Sequence, residues 1–245
     1  CSNRLGTEGL AAVHWHRGAA QLLAAGDLRA ADRTLRRGVV LAREADVPTV
    51  EAWCLAHLVQ LAYFAGTVTA QTLEFHAHAE SLADPEDEVL QSHLAMNRAG
   101  LRIASGDLQA AVDAARLCEE YAHSLGIPTY EQAGQLLLGV SLLGLDQRDE
   151  ALAIALRAVR LAIDAGNHMQ LGLALQQLAR IADDEDPVRA AALWGAATAR
   201  SPVHPAFEPV LFPARAATAL GDRFLDEAES GRQLTAEHAL DLAIG

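Results

Sequence analysis

One short motif recurs along this chain at a constant interval, and that interval limits the possible folds more than any other feature. The run Gly-Asp-Leu at residues 26–28 returns at residues 106–108, and Gly66 lies halfway between the two copies. We call the step from Gly66 to Gly106 the repeat interval; two further steps reach Asp146 and Asp186, each in a polar turn. A fixed period of about 40 residues is typical of repeat proteins, in which each unit buries its apolar face against its neighbours. We therefore expect a helical repeat array.

Each period holds two segments with the spacing of amphipathic helices. In the first period, Leu28, Ala31, Leu35 and Val39 recur at steps of three or four residues, which places them on one side of a helix. Glycine or aspartate between the segments supplies the stop of one helix and the start of the next. The predicted helices cover residues 7–25, 27–44, 49–65, 69–83, 86–105, 108–125, 129–144, 149–165, 168–182 and 188–199.

The end of the chain differs in character from the array. Four prolines crowd the start of this segment: Pro202, Pro205, Pro209 and Pro213. Proline breaks a helix interior, so we expect a helix over residues 207–220 that opens at its prolines, a short one over 222–229 and a last one over 235–244. A repeat array needs an atypical end to cover its last apolar face. The expected organisation is an array over residues 1–200 and a helical cap over residues 201–245.

Small side chains occupy two fixed positions in the period. The position inside the first helix holds Ala19, Ala99, Gly139 and Ala179, with Val59 as the departure. The position early in the second helix holds Ala31, Ala111, Ala151 and Ala191, with Gln71 as the departure. This pattern resembles tetratricopeptide repeats in a longer variant, where small residues let two helices approach closely. The resemblance implies an all-α fold, a right-handed superhelical solenoid of about five helix pairs.

The end of the sequence is similar to one family of large bacterial regulators. The similarity rests on Leu193-Trp194-Gly195, on Phe207-Glu208-Pro209, and on later positions that include Phe224 and Gly231. These residues resemble the C-terminal part of multidomain signal-transduction ATPases, often actinobacterial, many of which carry a LuxR-type helix-turn-helix. The resemblance implies a sensor and protein-interaction region of a transcriptional regulator. It does not extend to ATPase or DNA-binding activity, because no G-x-x-x-x-G-K-[ST] motif and no basic recognition helix occur in the sequence.

Charge and cysteine content narrow the possible partners. The formal net charge is −13 and all 19 basic residues are arginine, whereas nucleic-acid binding depends on clustered cations. We therefore expect no direct nucleic-acid binding by this segment. Three cysteines, Cys1, Cys54 and Cys118, form no C-x-x-C pair, which favours buried thiols in a cytoplasmic protein. No apolar run is long enough to predict a membrane span.

The predicted binding surface is a groove along the first helices of the pairs. In a curved repeat array these helices line the concave side, and residues at steps of three and four face the groove. The resulting surface is apolar with a few polar side chains, which suits a peptide, a partner helix or a small apolar effector. Alternatively, Trp53, Tyr63 and Phe64 simply fill the core. The candidate groove residues are His16, Trp53, Gln60, Tyr63, Phe64, His93, Met96, Gln176 and Arg180.

No catalytic residue, metal ligand or cofactor is predicted. Paired histidines such as His14 and His16 are two positions apart, which places them on opposite sides of a helix. The motifs H-E-x-x-H and G-x-S-x-G are both missing from the sequence. Acidic runs at residues 84–88 and 183–186 lie in joins between helices, where we expect solvated turns rather than an acid/base pair.

Two interpretations of function remain. In the first, the chain is a non-catalytic interaction and sensor module whose groove binds a protein segment or a neighbouring domain of its own regulator. In the second, it is an allosteric domain for a small molecule that binds near Trp53, Tyr63 and His93. The chain begins at Cys1 rather than methionine, so we expect it to be part of a longer polypeptide. The sequence does not indicate an oligomeric state.

Overall fold

The protein is built of helices that follow one another in sequence order. A computed structural model describes residues 2–23, 27–201 and 207–244, and this part of the chain contains no strand. The predicted all-α class is therefore confirmed. The described helices are α1 (Ser2–Leu23), α2 (Leu28–Ala45), α3 (Pro48–Phe64), α4 (Ala70–Leu82), α5 (Glu88–Ser105), α6 (Leu108–Leu125), α7 (Pro128–Gly144), α8 (Arg148–Asp164), α9 (His168–Ala182), α10 (Pro187–Thr198), α11 (Glu208–Leu211), α12 (Ala214–Leu220), α13 (Arg223–Arg232) and α14 (Ala236–Ile244).

Left-handed turns mark the predicted repeat interval. Gly66, Gly106 and Asp146 have φ angles of 66°, 78° and 59°, and each lies in the turn after the first helix of its pair. Glycine adopts this conformation without steric cost, and aspartate tolerates it. Gly26, the first member of the series, lies outside the described residues. Asp186 has a φ of −142° and instead caps the start of α10, so the turn type changes at the last pair.

A second set of left-handed turns follows the second helix of a pair. Asp46, Gly126 and Gly166 have φ angles of 58°, 62° and 62°. The corresponding place after α4 is different, because Asp87 there accepts the Leu90 backbone N–H at 3.0 Å and caps α5. Two interleaved series of turns therefore set the helix lengths, and the second pair departs from the common plan.

The odd-numbered helices of the array form a continuous layer. Helix α1 packs on α3, α3 on α5, α5 on α7, and α7 on α9, and each also packs on its even-numbered neighbours in sequence. Within the described ranges, no extensive contact joins one even-numbered helix of the array to the next. The even-numbered helices therefore lie on one side of the odd-numbered layer. We call the surface formed by α3, α5, α7 and α9 the odd-helix face.

Small residues permit the close approach of the two helices in a pair. Alanines at the predicted position in α2, α6, α8 and α10 are completely buried: Ala31, Ala111, Ala151 and Ala191. In α4 the departure Gln71 is exposed. The N-cap residue of α4, Thr69, lies slightly later in the sequence than the repeat interval predicts. Thr72 is buried in α4, where the other pairs have a buried alanine. The weakest match to the repeat is thus a local shift in where one helix begins.

Two buried amides join successive odd-numbered helices in the same way. Asn97 Nδ2 donates a hydrogen bond of 2.8 Å from α5 to the Ala56 carbonyl oxygen of α3. Gln177 Nε2 donates one of 3.0 Å from α9 to the Leu136 carbonyl oxygen of α7. The two donors are separated by two repeat intervals, and so are the two acceptors. A Cβ atom at Gly139 would collide with the Gln177 side chain. The lack of a side chain at Gly139 therefore leaves room for the Gln177 amide between α7 and α9.

The cap packs on the last pair through two glycines. A Cβ atom at Gly195 of α10 would collide with the Ala228 carbonyl oxygen of α13, and one at Gly231 of α13 with the Ala192 carbonyl oxygen of α10. The two backbones are therefore in direct contact. Helices α12 and α14 also pack on α10.

Residues 207–220 form two helices, so the expectation of one helix there is wrong. Pro213 has no backbone N–H, and a proline disfavours the helical conformation of the residue before it. Phe212 accordingly has φ −66° and ψ 128°, and it separates α11 from α12. The two later helices of the cap, α13 and α14, form close to the predicted positions.

The acidic run at residues 183–186 is only partly a solvated turn, which corrects the sequence-based expectation. Asp183 is 2% exposed, and its carboxylate accepts the Ala216 backbone N–H at 2.7 Å. Asp184 forms ion pairs with Arg148 of α8 and Arg215 of α12. These carboxylates therefore attach α12 to the turn between α9 and α10.

Replacing Gly231 with alanine should destabilise the protein by about 1–3 kcal/mol, because the added methyl group meets rigid backbone of α10. The measurement is the free energy of unfolding in urea. Gly9→Ala is the matched control, since nothing lies within 4 Å of a Cβ atom there and alanine favours a helix by about 0.5–1 kcal/mol. A Gly231→Ala protein as stable as the control would contradict the proposed contact.

Candidate functional site

A cavity of about 170 Å³ lies on the odd-helix face. Its mouth is at the first turns of α7 and α9, where Thr129 and Met169 are exposed. Its walls are mainly apolar, and no Asp, Glu, Lys or Arg occurs among the described residues that line it. The lining residues are His57, Gln60, Tyr63, Phe64, His93, Met96, Thr129, Tyr130, Ala133, Leu136, Leu137, Asn167, Met169, Gln170 and Leu173.

Five of the predicted groove residues come together in this cavity. Gln60, Tyr63 and Phe64 line it from α3, and His93 and Met96 line it from α5. Steps of three or four residues along a helix put side chains on one face, and adjacent packing of α3 and α5 places the two sets side by side. The part of the cavity wall formed by α3 and α5 therefore consists of residues that the groove pattern includes.

Trp53 and His16 lie outside the cavity lining. The Trp53 ring is buried beside the cavity, with its centroid 5.3 Å from that of His93 and 5.1 Å from that of Trp15. His16 is exposed on α1 and stacks on Trp15 at 4.2 Å. An aromatic cluster thus extends from the cavity toward α1. Trp53 therefore packs against His93, which lines the cavity, without lining the cavity itself.

Gln176 and Arg180, both on α9, also lie away from the cavity. Gln176 is completely buried, and its Nε2 donates to the Ser201 carbonyl oxygen at 3.4 Å. Arg180 pairs with Asp183 at 3.5 Å. Both side chains hold the end of the array in place and are not free on the odd-helix face.

Three buried polar atoms of cavity-lining residues lack a hydrogen-bond partner among the described residues. They are Gln60 Oε1, the Tyr63 hydroxyl and His93 Nε2, whose residues are 5%, 0% and 2% exposed. Leaving a buried polar group unpaired costs about 1–3 kcal/mol. Polar groups of this kind are normally satisfied by water or a ligand. His93 has a partner at its other ring nitrogen, since Nδ1 lies 3.1 Å from the Tyr130 hydroxyl.

The two histidines of the cavity are held in their neutral form. Burial lowers the pKa of His57 to about 4, against the opposing effect of its bond to the Trp53 carbonyl. Burial, and next the charge of His57, also lowers the pKa of His93. The His57 ring contacts a backbone carbonyl through Nδ1 at 2.9 Å, so Nδ1 carries the hydrogen and Nε2 is left as an acceptor. The cavity is therefore uncharged at neutral pH.

Several cavity residues are missed by the groove pattern. Thr129, Tyr130, Asn167, Met169 and Gln170 all lie in or just before the first turns of α7 and α9. The pattern describes mid-helix positions, so it does not include residues at helix starts. Their signal in the sequence is the repeat interval itself, because Thr129 and Met169 occupy the same place in successive pairs. His57 is also missed, because it lies on a different row of side chains along α3 from the predicted groove residues.

The chain's own C-terminal segment lies on the odd-helix face. After α10 the backbone passes over α9 at Gly172, where a Cβ atom would lie 2.8 Å from the Ser201 nitrogen. Helix α11 then packs on α7 and α9. Phe207 and Leu211 are completely buried, and the Phe207 ring centroid is 6.3 Å from that of Tyr63 on α3. Ser201 therefore lies near the end of the array, whereas residues 207–211 lie nearer its middle.

Other reactive groups are buried or dispersed. Cys54 and Cys118 are buried free thiols, as expected, and burial raises the pKa of each to about 12; Cys1 lies outside the described residues. In the part of the chain that the structure describes, no three His, Cys, Asp or Glu side chains are grouped to hold a metal ion. Within the same ranges, no helix is both long enough and apolar enough to cross a bilayer.

No family model matches the sequence. No curated protein matches it at a significant level.

Acidification should destabilise the protein through His57. The folded state keeps this ring neutral down to a pKa of about 4, whereas an unfolded chain takes up the proton near 6.5, so protons favour unfolding between these values. Lowering the pH from 7 to 5 should therefore remove about 2 kcal/mol of stability that the His57→Leu variant does not lose. Urea unfolding at both pH values measures the difference.

The matched control is His123→Leu, which removes an exposed imidazole from α6. If the His57→Leu protein and the wild type lose equal stability on acidification, His57 is not the buried neutral group described.

Proposed function

We propose that this chain is a non-catalytic interaction and sensor module whose odd-helix face binds a protein segment. The observation that supports the proposal is the docking of the chain's own segment there, with Phe207 and Leu211 completely buried against the array. A surface that buries two bulky side chains of a short helical segment has the shape and polarity of a peptide groove. In this arrangement the segment at residues 207–211 is an internal occupant of that groove.

The groove lies on the concave side of a right-handed superhelical solenoid in this proposal. Direct packing of successive odd-numbered helices, without matching contacts among even-numbered ones in the described ranges, favours curvature toward the odd-helix face. The constant repeat interval gives each pair nearly the same rotation relative to the last, which is how repeat arrays acquire a superhelical form. A concave groove lets several helices contact one extended segment.

We also propose that the module belongs to a larger bacterial regulator. The support is the resemblance of residues 1–200 to tetratricopeptide repeats, and of the end of the chain to multidomain signal-transduction ATPases and LuxR-type regulators. In such a protein the groove binds another domain or a partner protein in the cytoplasm. When the partner replaces the internal segment in the groove, the surfaces of the module that are exposed to solvent change. This change in exposed surface is the proposed sensing step.

The chemistry of the partner follows from the internal segment. Phe207 and Leu211 are four residues apart and contact the same core through one short helical turn. The partner segment should therefore carry two bulky apolar side chains at an i, i+4 spacing. One of them, preferably aromatic, would contact Tyr63 as Phe207 does.

The test is binding of a labelled peptide with the sequence of residues 201–213. The double variant Phe207→Ala/Leu211→Ala should bind this peptide, because its own segment no longer fills the groove. The wild type should bind it at least about tenfold more weakly, since a tethered competitor has an effective concentration in the millimolar range. Fluorescence anisotropy measures both affinities, and circular dichroism confirms that the variant remains helical.

The control peptide carries alanine at the positions of Phe207 and Leu211. Helices α12, α13 and α14 pack on α10 independently of α11, so the double variant should keep its cap attached. Equal binding of the two peptides to the variant, or binding of neither, would contradict the proposed function.

A further inference from the structure

The cavity on the odd-helix face adjoins the docked segment at Tyr63 and has no occupant among the described residues. We propose that it binds a neutral molecule with a single substituted ring that carries one hydrogen-bond donor, such as a phenol. The proposal rests on the volume, the polarity and the lack of charge of the cavity. It does not depend on a peptide binding in the groove.

The volume fits one ring. The cavity measures about 170 Å³, and an apolar cavity of about 150 Å³ holds benzene. Aromatic and thioether groups form much of the wall, including Tyr63, Phe64, Tyr130 and Met96. Rings and sulfur atoms of this kind pack favourably on an aromatic ligand. A ring with one or two small substituents therefore fills the available space.

The polar atoms require a donor on the ligand. Gln60 Oε1 can only accept a hydrogen bond, and no described residue donates one to it. The Tyr63 hydroxyl, also unpaired, can accept or donate. A ligand hydroxyl can donate a hydrogen bond to Gln60 Oε1 and accept one from the Tyr63 hydroxyl, or from His93 Nε2 when that nitrogen carries the hydrogen. Because these residues are more than nine-tenths buried, the bond would form away from bulk water.

Charged molecules are excluded by the same surroundings. The described lining contains no ionised side chain, and His57 and His93 are buried and held neutral, since burial lowers the pKa of both rings. Moving an unpaired charge into such a site is far less favourable than moving a neutral polar group. Carboxylates and ammonium ions of the same shape should therefore not enter.

No residue of the docked segment that the structure describes lines the cavity. The mouth is formed by Thr129 and Met169, which is 38% exposed, at the starts of α7 and α9. The segment contacts the inner side of the same region, with Phe207 next to Tyr63. Tyr63 therefore belongs both to the cavity and to the surface under the segment.

The experiment compares three probes of one shape by titration calorimetry: p-cresol, toluene and 4-methylbenzoate. We expect p-cresol to bind the wild type, toluene to bind about tenfold more weakly because it lacks the donor, and 4-methylbenzoate not to bind. Absence of binding by all three probes would overturn the proposal and indicate a cavity that holds water only. Equal affinity for p-cresol and toluene would overturn the requirement for a donor.

Two variants locate the site. Gln60→Met keeps the side-chain length but removes the acceptor, so it should abolish the preference for p-cresol over toluene. Gln135→Met is the matched control, because Gln135 is equally buried and also has an unpaired Oε1 but does not line the cavity. Ala133→Leu narrows the cavity near its mouth and should weaken p-cresol and toluene alike by at least about tenfold. Equal effects of Gln60→Met and Gln135→Met, or unchanged binding by Ala133→Leu, would overturn the assignment.

Discussion

The direct packing of each odd-numbered helix on the next is the contact on which the rest of the structure depends. It needs small side chains where helices cross and a way to fix the axial register of one helix against the next. Gly100 of α5 against Tyr63 of α3, and Gly139 of α7 against Gln177 of α9, meet the first need. The amides of Asn97 and Gln177 meet the second at alternate junctions. Because this layer is continuous, side chains from four helices can meet around one cavity.

The end of the array shows how a repeat protein stops. At the last pair, the turn after the first helix is not left-handed, and Asp186 in this turn is the N-cap residue of α10. Beyond this pair, α10 packs on α13 through glycines instead of on a further helix pair. Asp183, buried in the same turn, holds α12. Ser201 lies against Gly172 of α9, and α11 packs on α7 and α9 of the odd-helix face. One segment therefore links the termination of the fold to its binding surface.

Much of this architecture could be predicted from the sequence, whereas the path of the tail could not. The repeat interval and the helix ends follow from local signals such as Gly106 and Asp107, which act within one turn. The floor of the cavity follows from periodicity along α3 and α5. The position of Phe207 depends instead on long-range packing after a proline-rich stretch, which no periodic pattern encodes. The burial of Asp183 could not be predicted from the sequence either, because an exposed acidic turn and a buried acidic residue that caps a helix have the same amino-acid composition.

The docking of residues 207–211 on the odd-helix face brings Phe207 next to Tyr63 of α3. Nuclear Overhauser contacts between aromatic rings, measured on protein protonated only at Phe and Tyr, detect this arrangement. We expect cross-peaks from the Tyr63 ring to Phe64, whose centroid is 4.9 Å away, and to Phe207, at 6.3 Å, with the second lost in Phe207→Leu. A clear cross-peak to Phe64 without one to Phe207 would show that the segment does not occupy this face at Tyr63.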